Sequence, residues 1–152
     1  MSTYCEKYSG IVRELKTPAT IFVSGRFGDR LAMPIVVSAL WDTGAYSSVV
    51  SQRVVDSLGL VEVARNRACG VNGWYESPIY VIDLQLPNGV KITGLPVPLG
   101  SMVVADMLIG MDVISSGDLL LMNYGVTKFA IRTPTEGDTS FTVSESVQEG
   151  RP

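Results

Sequence analysis

The chain has 152 residues, a formal net charge of −3 from 12 Lys and Arg against 15 Asp and Glu, and 46% hydrophobic residues. That is material for one ordinary domain with its own core, too weakly charged to favour disorder, and its singly scattered basic residues exclude a phosphate-tracking stripe and with it nucleic acid as a partner. The absence of histidine removes the usual general base of serine and cysteine hydrolases and the commonest zinc ligand, so hydrolytic chemistry would have to run on carboxylates, lysine or tyrosine.

The first ten residues are polar, and no apolar run reaches the roughly 18 to 20 residues that span a bilayer. The reading is a soluble, cytoplasmic chain with no membrane partner. Short Val-, Ile- and Leu-rich runs broken by Gly, Pro and Asn then predict strands over 11–15, 19–24, 32–40, 80–86, 90–95 and 128–131. Turns at Phe27-Gly28-Asp29 and Pro87-Asn88-Gly89 predict hairpins between the second and third and between the fourth and fifth of these. A helix is expected after Ser47 or Ser48 as cap, with Val50, Val54 and Leu58 on one face and Gly59 as its stop. A shorter one is expected over 111–116, stopped by Gly117. Apolar run, glycine-containing loop and helix occur twice, over 41–58 and 107–116, which suggests a pseudo-repeat.

Residues 1–132 thus read as one mainly β domain, and 133–152 as a polar, flexible tail whose only hint of order is Phe141-Thr142-Val143. Cys5 and Cys69 form no close pair suited to a metal knuckle and read as free thiols. Neither a metal nor a cofactor is expected.

The chemistry concentrates in Leu40-Trp41-Asp42-Thr43-Gly44-Ala45. An Asp-Thr-Gly alone also fits an ordinary turn ending a strand. Three surrounding features favour a site. The acid follows a strand that should be buried, and Gly44 lets backbone or ligand approach closely. A helix begins a few residues later and pins the loop between rigid elements. Leu108-Ile109-Gly110 offers an apolar partner at the matching place in the second half. A phosphoryl-transfer site of the haloacid dehalogenase type is set aside, because the second acid it needs falls on Gly44.

Together these residues resemble the retropepsin-like aspartic proteases, in a form closer to their cellular and bacterial branch. The resemblance spans about residues 19–131 by order of elements, and its specific part is 40–45, the helix after it and 108–112. It implies a closed acid-protease-like β barrel with one or two short helices, active as a symmetric homodimer on a polypeptide substrate, with no cofactor. It also implies that Asp42 is catalytic, that Thr43 ties the two loops together across the dimer, that Gly44 and Ala45 complete the loop, and that Leu108, Ile109 and Gly110 pack beneath it. Viral members usually carry an acid after Asp-Thr-Gly-Ala and an arginine after the later glycine, where this chain has Tyr46 and Met111.

Cys69-Gly70-Val71-Asn72-Gly73-Trp74 falls where the family keeps its flap, so Gly70, Val71, Asn72, Gly73 and Trp74, with Tyr75, are candidate substrate contacts; an ordinary surface turn with a core tryptophan fits the same residues. Val71, Val97 and Ile109 are candidate pocket walls by family position, and core positions explain them equally. Beside the aspartic endopeptidase stands a catalytically silent retropepsin-fold peptide-binding or dimerisation module. A purely structural β domain, in which Asp-Thr-Gly is coincidental, would be a stable monomer.

Overall fold

A computed structural model of the chain describes residues 2–135. Ten strands and two short helices follow one another as β1 (Ser2–Lys7), β2 (Lys16–Val23), β3 (Ile35–Trp41), β4 (Val49–Val50), α1 (Gln52–Leu58), β5 (Ala64–Gly70), β6 (Gly73–Gln85), β7 (Lys91–Pro98), β8 (Met107–Ile109), α2 (Met111–Ile114), β9 (Asp118–Tyr124) and β10 (Val126–Thr133). Strands are arranged in a seven-stranded sheet, ordered β4-β8-β3-β2-β6-β5 with β7 also on β6, and a three-stranded sheet ordered β1-β10-β9.

β2 and β3 alternate buried and outward residues, with Ala19, Ile21, Val37 and Ala39 almost wholly buried, the period-two pattern of strands with one face on a core. They pair antiparallel from Lys16↔Leu40 to Ile21↔Ile35 across the predicted hairpin. The hairpin loop is held against the following helix, since Asp29 N–H donates to Leu58 C=O at 3.0 Å. At the second predicted turn, Gly89 N–H donates to Leu86 C=O at 2.9 Å between β6 and β7.

The two sheets share one core. Trp41, at the end of β3, donates its indole N–H to Thr17 Oγ1 at 2.9 Å, and its ring lies 5.2 Å from that of Phe129 in β10. A large ring whose one polar atom is satisfied both fills space and fixes the strand end. This rigid end is where Asp42 begins.

Several expectations change. The closed barrel is not formed among the described residues: a single bridge between Val50 and Leu99 brings the end of β7 back towards β4, and no strand ladder completes the ring. The predicted strand over 11–15 is a loop, while β1 forms upstream of it against β10, from Ser2↔Thr133 to Lys7↔Lys128. The phenol of Tyr8, pushed up to about 12 by burial and by nearby Glu6, donates to Lys16 C=O at 2.8 Å and ties this loop to β2. α1 is capped by Ser51 rather than Ser47 or Ser48, because Val49 and Val50 are first drawn into β4 opposite Leu108 and Met107. Its stop is as expected: Gly59 has φ 53°, the left-handed conformation that glycine takes without a Cβ clash. Beyond Thr135, the tail and its Phe141-Thr142-Val143 lie outside the described residues.

Candidate active site

Parallel pairing of β3 with β8 sets Leu40 beside Leu108 and Trp41 beside Ile109, so the two halves of the pseudo-repeat meet at the point where both strands end. The next residue in one half is Asp42, and in the other Gly110. Asp42 N–H donates to Ile109 C=O at 3.0 Å, which continues the ladder by one bond and fixes the backbone of the acid. Its carboxylate Oδ1 accepts from Gly44 N–H at 2.8 Å, and Ala45 N–H donates to Asp42 C=O at 3.2 Å, closing a tight turn around the acid.

Gly110 is buried under this turn. A Cβ there would stand 2.6 Å from the Ser47 carbonyl carbon, 2.7 Å from its oxygen and 3.0 Å from Ala45 C=O. Only glycine lets the two loops approach this closely. The approach is then bonded: Met111 N–H donates to Ala45 C=O at 2.9 Å and Gly110 N–H to Ser48 Oγ at 3.1 Å.

Ser48 and Asp112 join the two loops, a contact that the sequence reading did not anticipate. Asp112 Oδ1 accepts from Ser48 Oγ at 2.7 Å, and both its oxygens lie 2.9 Å from Ser48 N–H. The serine hydroxyl therefore takes from Gly110 and gives to Asp112, a charge-assisted clasp between loops 64 residues apart. It ties these loops together at positions other than the two where viral proteases usually carry an acid and an arginine, for Tyr46 is 92% exposed and Met111 partly so. A serine four places after a glycine and an acid two places after another were the available signals, and neither residue type announces its partner.

Asp42 faces an open depression of about 320 Å³, also lined by Val12, Arg13, Glu14, Leu15, Leu40, Trp41 and Leu121. The walls are mixed: Val12, Leu15, Leu40, Trp41 and Leu121 give them apolar area, and Arg13 and Glu14 add one charge of each sign; Glu14 is held by Lys16 at 2.8 Å. Thr43 and Gly44 are exposed beside Asp42, and Leu108 is half-buried. Among the described residues no three Cys, Asp or Glu side chains converge to hold a metal ion.

β5 and the exposed first residues of β6, Gly73 to Glu76, form a hairpin arm whose turn is Val71-Asn72, between the paired Gly70 and Gly73. Gly73 takes φ 104°, so a residue with a Cβ would be strained at the tip. Val71 is fully exposed and Trp74 is 69% exposed beneath the Arg67 guanidinium, 5.8 Å from the ring centroid, so Trp74 is not a core residue. None of Val71, Asn72, Gly73 or Trp74 lines the Asp42 depression. Of the candidate walls, Val97 and Ile109 take the core alternative: both are completely buried, and neither lines the Asp42 depression.

No family model and no curated protein matches the sequence. Solved structures do match by shape. A retropepsin-like aspartic protease from Rickettsia conorii aligns with TM-score 0.54 and 12% identity over 85% of this chain and 93% of that one. The EIAV protease in complex with the inhibitor HBY-793 aligns with TM-score 0.50 and 19% identity over 71% of this chain and 90% of that one. The chain has a retropepsin-like fold, that of aspartic proteases.

Proposed function

We propose that this chain is an aspartic endopeptidase, active as a homodimer in which each copy contributes Asp42. The observation that carries this reading is the construction around that acid. A carboxylate held by Gly44 N–H, on a backbone held by Ile109 C=O, opens onto a depression walled by Leu15, Leu40, Trp41 and Leu121 as well as by Arg13 and Glu14.

Two such carboxylates facing one another cannot both ionise cheaply, so the pair holds one shared proton over a broad pH range. The ionised member draws a proton from a water lying between them, the water attacks the scissile carbonyl, and the protonated member hydrogen-bonds the developing oxyanion. Asp42 is thus base in one copy and acid in the other. Substrate lies extended, with alternate side chains directed to opposite sides, and the arm carrying Val71, Asn72 and Trp74 acts as a flap that closes over it.

The test is cleavage of a diverse peptide library between about pH 4 and 7 by the wild-type chain and by Asp42→Asn at matched concentration. Cleavage that disappears in a variant with unchanged folding and sedimentation supports the reading. A folded, dimeric wild type without cleavage transfers the fold to a peptide-binding or dimerisation role.

A further inference from the structure

Residues 11–15 have the pattern of a strand and are instead the loop between β1 and β2. The course of that loop is fixed from several sides. Val12 N–H donates to Thr127 Oγ1 at 3.0 Å, and Leu15 C=O accepts from Trp41 N–H at 2.9 Å. At its two ends, Gly10 C=O accepts from Thr127 N–H at 3.0 Å and Lys16 C=O from the Tyr8 phenol at 2.8 Å. Between the anchored Val12 and Leu15 stand Arg13 and Glu14, both on the wall of the Asp42 depression.

These two charges are not equivalent. Glu14 is met by the Lys16 ammonium at 2.8 Å, so its charge is offset within the chain. Among the described residues the exposed Arg13 guanidinium has neither an ion-pair nor a hydrogen-bond partner. The wall therefore carries one uncompensated positive charge in the same depression as Asp42, set among Val12, Leu15, Leu40 and Leu121. With a net charge of −3 the chain as a whole repels acidic peptides, so a gain on them has to come from this local cation.

We propose that Arg13 is a specificity-determining residue, which pairs with a glutamate or aspartate of the polypeptide substrate within a few positions of the scissile bond. The inference rests on the protease reading and gives its substrate a class. A guanidinium is planar and forked, and it matches a carboxylate through two parallel hydrogen bonds. Side chains of an extended substrate alternate between opposite sides, so Arg13 reads one set of alternate positions and leaves the other set unread.

The test uses the full chain and families of peptides that differ only in Glu, Gln or Lys at one position, taken in turn along the sequence. At about pH 6 and low ionic strength, the read positions are expected to give kcat/KM about five- to thirtyfold higher for Glu than for Lys, with Gln between. The ratio should shrink as salt is added, and again as pH falls through the glutamate value of about 4.3, because the charged form is present only above it. Arg13→Ala should bring the ratio close to one, Arg13→Glu should invert it, and Arg13→Lys should keep most of it. Cleavage with equal kcat/KM for Glu and Lys at every position, or a preference that survives in Arg13→Ala, overturns the assignment and leaves the protease reading standing. An Arg13→Ala chain that sediments as a monomer where the wild type is a dimer also overturns it, by giving the guanidinium to the second copy. Should the wild type cleave nothing, the protease reading falls and fluorescence anisotropy of the same peptides decides for Arg13. Tighter binding of Glu than of Lys peptides, abolished by Arg13→Ala, keeps its role in a peptide-binding module, and equal binding overturns both.

Discussion

Replacing Gly110 by alanine tests whether the clasp beneath Asp42 is built as closely as its contacts indicate. Gly110 has φ −98°, which any residue adopts, so the demand is one of space alone. The added methyl would lie 2.6 and 2.7 Å from the Ser47 carbonyl group and 3.0 Å from Ala45 C=O, and backbone atoms cannot swing aside as a flexible side chain would. The loops must separate, which stretches Met111 N–H to Ala45 C=O and Gly110 N–H to Ser48 Oγ. Overpacking costs about 1 to 3 kcal/mol and weakening two hydrogen bonds adds about 1, giving about 2 to 4 kcal/mol. At roughly 4 °C per kcal/mol for a domain of this size, Tm should fall by about 8 to 16 °C while the chain remains folded at room temperature. Peptide cleavage should fall with it, since Asp42 N–H is anchored on the residue before Gly110. Gly44→Ala is the control for stability, because its Cβ would meet only Asp42 Oδ1, at 3.2 Å. A Gly110→Ala variant melting within about 3 °C of wild type would refute the reasoning.

Trp74→Ala should raise KM for peptides about three- to tenfold with Tm unchanged, because the ring is exposed and would contribute mainly when substrate is present; a fall in Tm with KM unchanged would mark it as structural. Asp106, whose carboxyl the Arg53 guanidinium holds below the usual carboxylate range, with burial opposing and Ser51 assisting, sets a pH dependence. A depressed folded pKa contributes stability that is present above the unfolded value of about 3.9 and is lost as pH falls through the folded value. Asp106→Asn should therefore melt below wild type at about pH 6, with the gap narrowing towards about pH 3; a gap that stays constant across scanning calorimetry at these pH values would remove the ion pair as its cause.

What the sequence disclosed followed from how local each signal is. Gly59 ends α1 because one residue's conformation suffices, and Pro87-Asn88-Gly89 turns because neighbours supply the bonds. The Asp42 loop was legible for a related reason: strand, acid, glycine and helix are contiguous, and the match to Leu108-Ile109-Gly110 only had to be found once. Partner-dependent features were not legible. Ser2–Lys7 has no apolar alternation and becomes a strand only because β10 is there to pair with it, while the better-patterned 11–15 is a loop. Ser48 looked like a helix cap, but β8 claims Val49 and Val50 first, which frees its hydroxyl for Gly110 and Asp112.

β9 is the sharpest case. Leu119-Leu120-Leu121-Met122 has the composition of a helix and lacks the β-branched residues of a strand, so propensity points away from its actual state. Its register with β10 overrides that preference and explains the composition. Alternate residues of a strand face opposite sides of its sheet, so an edge strand that packs on the core only partway and stays apolar where it is exposed has apolar area left over. The residues that defeat prediction of the strand are the ones whose apolar side chains its edge position leaves exposed.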